Sequence, residues 1–424
     1  MHTLEQLRSG ALAGTRRLDL SCGLEQLPPE VMHLADTLEV LNLSGNRLRD
    51  LPHDLGRLRH LKIIFCSDNH FTELPEVLGE CQALEMVGFK ANRIATVPAG
   101  ALPARLRWLI LTDNAIAHLP HELGQRPALQ KLMLAGNRLS ALPEGLAQAE
   151  RLELLRISAN RFNSLPFWLT RLPRLAWLAL AGNPLSWSRA ADAPLPRVNW
   201  PDLSVAELLG EGASGLIHRV WRRDIPGPAW ALKLFKGAVT SDGLPEHEMA
   251  ACRAVGAHPS LCTPVAELDG HPQGTPGLLL PEIPANMRIL AGPPSFDSCT
   301  RDVYPPGFSM RAAAALAVGC RMAHALAHLH KRGVMHGDFY AHNIHWDPAS
   351  AETLLGDFGG ATALPDNDPD LRRALLALDV RAFGCLLEEL LAHSPPSEYA
   401  DSMAAVAQAC QLPQPHQRPS REDV

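Results

Sequence analysis

The residues best equipped for chemistry lie in the second half of the chain. His336-Gly337-Asp338-Phe339-Tyr340-Ala341-His342-Asn343 is followed, fourteen residues after the Asn, by Asp357-Phe358-Gly359. Two oxygen ligands for a hard cation and one carboxylate beside a hydroxyl are the minimum equipment for phosphoryl transfer, a reaction governed by positioning and charge neutralisation. Upstream, Gly210-Glu211-Gly212-Ala213-Ser214-Gly215 is a G-x-G-x-x-G sequence between two apolar stretches that read as strands. Glycines there would let the backbone approach the phosphates of a nucleotide without side-chain clash, although a Gly-rich loop without function would look the same. Lys233 sits inside the apolar run AWALKLF, where a charge is oddly placed, because a lone Lys usually carries its ammonium to the surface. Each piece alone passes for an ordinary loop or surface charge. Their order and spacing together do not.

Taken together, these motifs resemble the protein-kinase family. The resemblance implies that Asp338 accepts the proton of the substrate hydroxyl and that Asn343 and Asp357 hold Mg²⁺. It further implies ATP contacts from Gly210, Gly212, Gly215, Ile217, Ala231, Lys233, Glu248 and Glu282. Lys233 would clamp the α- and β-phosphates while paired with Glu248, fifteen residues on, with Glu246 the runner-up. The run Leu378 to Gly384, leading into CLLEELL, resembles the helix whose Asp, here Asp379, braces the catalytic loop, and Arg418-Pro419-Ser420 resembles the late Arg-Pro signature. Several positions depart from the pattern. Gly337 replaces the Arg that receives a phosphorylated activation loop, Tyr340 stands where Ser/Thr kinases place a phosphate-contacting Lys, and His342 stands where tyrosine kinases place an Arg. Only twenty-two residues separate Asp357 from Asp379, with no Ala-Pro-Glu between them, so the platform for an extended peptide is cut down and Arg418 lacks its usual partner. His324 and His328 stand four apart, but no carboxylate lies between them, so they do not make a zinc-protease motif.

The first half of the chain is periodic. Asn recurs at 46, 69, 92, 114, 137, 160 and 183, within the pattern L-x-x-L-x-L-x-x-N-x-L-x-x-L-P. These residues resemble the leucine-rich repeat. The L-x-L alternation reads as a short strand with one face inward, and stacking such strands in parallel buries an apolar row that no single repeat buries alone. The expected fold is an α/β leucine-rich-repeat solenoid with parallel strands on its concave face, of about eight repeats over residues 1–187. The resemblance implies that the Asn side chains form an internal ladder, and the Leu-Pro pairs resemble the intracellular subclass with short helical turns on the convex side. The first unit, which lacks the Asn and has Cys22 near its place, is atypical, and Trp187 is expected to close the core. Variable concave positions include Glu39, Asn42, Lys62, Phe65, Glu85, Phe89, Arg107, Ile110, Lys131, Met133, Arg156 and Trp177, a mixture suited to a protein ligand.

A proline-bearing linker is expected over 188–202, then an α+β two-lobed protein-kinase-like domain over 203–424, with a small lobe to about 283 and the large lobe from 284. The formal charge of −6, with no long basic run, favours neither nucleic acid nor an acidic membrane surface as partner. Nine scattered cysteines with no C-x-x-C read as buried side chains in a reducing compartment. With no export signal and no segment approaching 18 apolar residues, a cytoplasmic location is expected. The expected function is that of an ATP- and Mg²⁺-dependent protein kinase of serine/threonine type whose repeats recruit a protein substrate or regulator. Two alternatives stand beside it. One is an ATP-binding pseudokinase scaffold; the other is a small-molecule phosphotransferase in the style of aminoglycoside and choline kinases, which also carry His-Gly-Asp.

Overall fold

The structure is a computed structural model that describes residues 1–185, 195–212, 214–223, 227–236, 239–240 and 242–420. Trp187 and residues 188–194 of the expected linker lie outside the described residues. Contacts divide the chain into two units, one of residues 1–174 with 183–185, the other of 175–182 with the described residues after 194.

A short helix α1 (Leu4–Arg8), closed by a capping box between Thr3 and Gln6, precedes the repeats. Eight three-residue strands then lie in chain order in one sheet: β1 (Arg17–Asp19), β2 (Val40–Asn42), β3 (Ile63–Phe65), β4 (Met86–Gly88), β5 (Trp108–Ile110), β6 (Lys131–Met133), β7 (Leu154–Arg156) and β8 (Trp177–Ala179). From β1 to β7 the pairing is parallel, and its register stacks Leu18, Leu41, Ile64, Val87, Leu109, Leu132 and Leu155 in one row, each fully buried. A repeat of constant length fixes that register, because a slip of one residue would turn every leucine outward. The chain returns between strands through 3₁₀ turns such as His121–Gln125 and Glu144–Gln148, each entered through a proline held near φ −65°. These turns pack so closely that a Cβ on Gly124 would stand 1.8 Å from the carbonyl oxygen of Gly145.

The Asn ladder is explicit. Asn137 Nδ2 donates to the carbonyls of Leu111 and Leu134 at 2.9 Å, and its Oδ1 accepts the N–H of Ile116 at 3.0 Å. Asn46 serves the atypical first unit in the same way, accepting from the N–H groups of Cys22 and Leu24. Each side chain thereby satisfies backbone groups that the bend removes from the sheet.

One expected concave position is corrected, and three others keep their strand face but are buried. Phe89 is fully buried and meets Phe71 edge-on, because it lies three residues before Asn92, the inward place that Leu43 takes before Asn46. Lys131, Arg156 and Trp177 are also buried, and the Lys131 ammonium lies 3.9 Å from the centre of the Trp108 ring. Glu39 spends its charge on Arg16 and Lys62. All nine cysteines are free, but Cys22 and Cys320 are exposed rather than packed inside.

In the second unit, β9 (Arg197–Asn199) corrects the reading of 188–202 as a linker throughout. It pairs in parallel with β13 (Ala266–Asp269) at the edge of a sheet ordered β10 (Leu203–Glu211), β11 (Gly215–Arg222), β12 (Trp230–Phe235), β14 (Gly277–Pro281), β13, β9. Val198 joins Leu203, Val220, Leu232, Ala266 and Leu279 in the core of this lobe, and helix α2 (Pro245–Val255) accompanies the sheet. The large lobe carries β15 (Arg288–Ile289), α3 (Ala312–Lys331), β16 (Val334–Met335), β17 (Ile344–Trp346), β18 (Thr353–Leu355), β19 (Thr362–Ala363), α4 (Pro369–Ala392) and α5 (Ala400–Cys410). Contrary to expectation, α3 is long and apolar enough to cross a membrane. It buries Val318, Met322, Leu326 and Leu329 and packs against α4, and a core helix satisfies the same criterion.

Candidate active site

The site is built outward from one buried carboxylate. Asp379, fully buried on α4, accepts the N–H groups of His336 at 2.7 Å and Gly337 at 2.9 Å, and lies 3.1 Å from His330 Nε2 of α3. This pins the start of the loop that carries Asp338. Farther along the loop, Asn343 Nδ2 donates to the Asp338 carbonyl at 2.9 Å and to its carboxylate at 3.1 Å. Both partners can only accept, so the amide nitrogen is committed to them and Oδ1 is the atom left for a cation. Asp357, held at φ +53°, accepts the Gly359 N–H at 3.1 Å, and a Cβ on Gly360 would lie 3.0 Å from the Cβ of Asp338. The two aspartates therefore face a common space.

Lys233, on β12, forms an ion pair with Glu248 of α2, and both side chains are largely buried. Glu246, the runner-up, is not the partner. Burial opposes charge on Lys233, but the carboxylates of Glu248 and Asp357 outweigh it and raise the ammonium's pKa above its usual value. A Cβ on Gly359 would lie 3.2 Å from Asp357 Oδ1 and 3.8 Å from Glu248 Oε2, so Asp357 lies beside the ion pair, and the adjoining Gly360 approaches Asp338. The sheet register sets Ile217 beside Lys233 and Ala231 beside Leu280, and paired residues share a face, so Ile217 and Ala231 lie on the Lys233 side. Gly210 and Gly212 have open space where side chains would stand, whereas a Cβ on Gly215 would press to 2.5 Å from the Leu234 carbonyl oxygen. Glu282 stands just after β14. Its carboxylate is engaged by Arg219, so only its backbone is available to a nucleotide. A cavity of about 400 Å³ lined by Pro228 to Trp230, Val265 and Pro281 to Ala285 contains none of Lys233, Asp338, Asn343 and Asp357.

The departures from the kinase pattern have physical causes. Gly337 adopts φ +69°, and a Cβ there would lie 2.4 Å from the Leu178 carbonyl oxygen and 2.6 Å from that of Gly360. An Arg does not fit. Tyr340 is buried under Trp177, and His342 is held by Asp302, whose carboxylate takes the His342 backbone N–H at 2.8 Å and meets Nδ1 at 2.7 Å. Burial opposes charge on this imidazole, but Asp302, with Asp338 and Asp357 beyond it, raises its pKa. Arg418 replaces its usual glutamate partner with backbone carbonyls, those of Ala377 at 2.7 Å and Leu412 at 2.9 Å. Sequence reasoning gave Asp302 and His330 no role in the site and read Trp177 only as a concave position of the repeats, because none lies in a kinase motif. Among the described residues, no cluster of three His, Cys, Asp or Glu side chains could hold a metal ion without outside ligands.

Comparison with known proteins places these features. Residues 104–162 and 127–185, and separately 37–58, match leucine-rich-repeat families, and residues 290–363 match the lipopolysaccharide kinase (Kdo/WaaP) family. The last match contains Asp338, Asn343 and Asp357. A probable inactive serine/threonine-protein kinase of Dictyostelium discoideum, roco10, is 31% identical over 123 residues, which is 28% of this chain and 5% of that protein. Among solved structures, a leucine-rich-repeat protein of Leptospira interrogans is 24% identical over 43% of this chain and 64% of its own, with a TM-score of 0.29. An internalin (InlF) of Listeria monocytogenes is 19% identical over 43% of this chain and 51% of its own, with a TM-score of 0.37. The chain joins a leucine-rich-repeat solenoid to a domain with a kinase-family match.

Proposed function

We propose that the chain is an ATP- and Mg²⁺-dependent protein kinase of serine/threonine type whose repeats recruit its protein substrate or regulator. The observation that carries this reading is that Asn343 bonds Asp338 while Gly359 and Gly360 lie between Asp338, Asp357 and the Lys233–Glu248 pair. The donor set suits Mg²⁺, a hard cation that takes one or two protein oxygens and completes its shell with phosphates and water. Asn343 Oδ1 and the Asp357 carboxylate would hold it, where it would neutralise charge on the phosphates. Lys233, kept protonated and aimed by Glu248, binds phosphate oxygens, while Gly210 and Gly212 leave the nucleotide room above them. Asp338, oriented through Asn343, takes the proton of the acceptor hydroxyl.

The test is incubation of the full chain with γ-labelled ATP and Mg²⁺, with protein acceptors, beside Asp338→Asn and Asp357→Asn. Label in protein that depends on both aspartates supports the reading; ATP-induced stabilisation without transfer would make the domain a nucleotide-binding scaffold. A second reading, transfer to a sugar or other small-molecule hydroxyl, is favoured by the match of 290–363 to a lipopolysaccharide kinase family. Label in an added small acceptor and none in protein would select it.

A further inference from the structure

Trp177 stands beside the catalytic loop without belonging to any motif of the kinase pattern. Its ring is buried and lies flat on Tyr340, with centroids 4.3 Å apart and planes at 8°. Its indole N–H donates at 3.0 Å to the carbonyl of Phe339, the residue that follows Asp338. The neighbouring Leu178 carbonyl oxygen closes the space over Gly337, the residue that precedes Asp338. Both neighbours of Asp338 thus lie against one short segment, residues 177–178, which groups with the second unit. On the far side, Tyr340 stacks obliquely on His342 at 4.9 Å, and His342 is anchored by Asp302.

We propose that Trp177 is a positioning residue of the phosphotransfer site: its stack on Tyr340 and its hydrogen bond to Phe339 hold the backbone that follows Asp338, and with it the Asp338 carboxylate, at the distance its chemistry needs. The proposal rests on the phosphotransfer reading for its kinetic consequence, but not for its structural one. Where many kinases have a flexible Lys two residues after the catalytic Asp, this chain has a rigid aromatic platform, and the rigidity comes from outside the loop. A side chain that orients a reacting group in this way acts on turnover more than on nucleotide affinity, since Lys233 and Asp357 bind the nucleotide independently of it.

The test uses the full chain with Trp177→Ala and Trp177→Phe. Phenylalanine keeps the ring but lacks the N–H, so it separates the hydrogen bond from the stack and guards against a variant that fails to fold. Two readouts are taken: kcat and KM for ATP in label transfer, and amide hydrogen exchange over His336 to Asn343. The expected result is a kcat lower by about a hundredfold in Trp177→Ala and about tenfold in Trp177→Phe, the range that a displacement near 1 Å produces, with KM for ATP within about twofold. Exchange in the loop should rise in the same order while the Asn137 ladder stays protected. If the wild-type chain transfers no phosphate, the functional reading fails and the exchange arm still decides whether Trp177 orders the loop. Wild-type exchange in both variants overturns the proposal, as does unchanged kcat in an active chain.

Discussion

Replacing Gly337 with alanine puts a methyl group 2.4 Å from the Leu178 carbonyl oxygen and 2.6 Å from that of Gly360. Neither oxygen belongs to a flexible side chain, so the backbone itself must move. The left-handed φ of +69° costs a non-glycine residue about 1 kcal/mol, and overpacking against fixed atoms adds about 1–3 kcal/mol. For a domain of this size about 3 kcal/mol corresponds to a fall in Tm of about 6–12 °C. The loop would also shift by a sizeable fraction of an ångström at Asp338, lowering kcat by about ten- to a hundredfold. Calorimetry of the full chain and label transfer measure the two effects. If Gly337→Ala keeps the wild-type Tm and turnover, the loop has room for a side chain, and the absence of the usual Arg needs another cause.

Other perturbations test other parts of the account. Asn137→Ala leaves the N–H of Ile116 without its partner, while the carbonyls of Leu111 and Leu134 keep the amides of Asn114 and Asn160, so a loss of about 1–3 kcal/mol is expected from the urea midpoint. Lys233→Met strands the buried Glu248 carboxylate and should cost about 3 kcal/mol, while Lys233→Met with Glu248→Gln should recover more than half of it without restoring ATP binding. Burial pushes the Glu389 carboxyl up to about 7 despite the opposing Arg301. A folded pKa above the unfolded one means that the stability it contributes is fully present below about pH 4.5 and is lost as pH rises through 7. The amount is about 3 kcal/mol, and Glu389→Gln should flatten that part of the profile in urea titrations across pH 4.5–8.

The period of the Asn residues made the solenoid legible, because a ladder that must pair every repeat with the last tolerates little variation in length. It did not settle which side chains line the concave face. Phe89 occupies an inward place in the L-x-L pattern, and Lys131 is buried by lying over a neighbouring ring, a contact between repeats that no single repeat encodes. The edge strand Arg197–Asn199 was hidden by prolines on both sides, which suit a sheet edge as well as a spacer. In the candidate site, the residues that must carry charge at fixed spacings were readable: Lys233 and Glu248 meet, and Asp338 bonds to Asn343. Their supports were not. Asp302 reaches His342 from 40 positions away and Trp177 reaches Phe339 from 162, and long-range contacts of this kind leave no local pattern. The pairing of the Glu282 carboxylate with Arg219, 63 positions away, was equally invisible.

The central claim is that the two aspartates divide the labour, Asp357 on the cation side and Asp338 on the hydroxyl side. Calorimetric titration of ATP into the wild-type chain, Asp357→Asn and Asp338→Asn, each with and without Mg²⁺, measures that division directly. Binding strengthened by Mg²⁺ in the wild type and in Asp338→Asn, with the strengthening lost in Asp357→Asn, is the predicted result. Equal Mg²⁺ dependence in all three proteins would contradict the assignment.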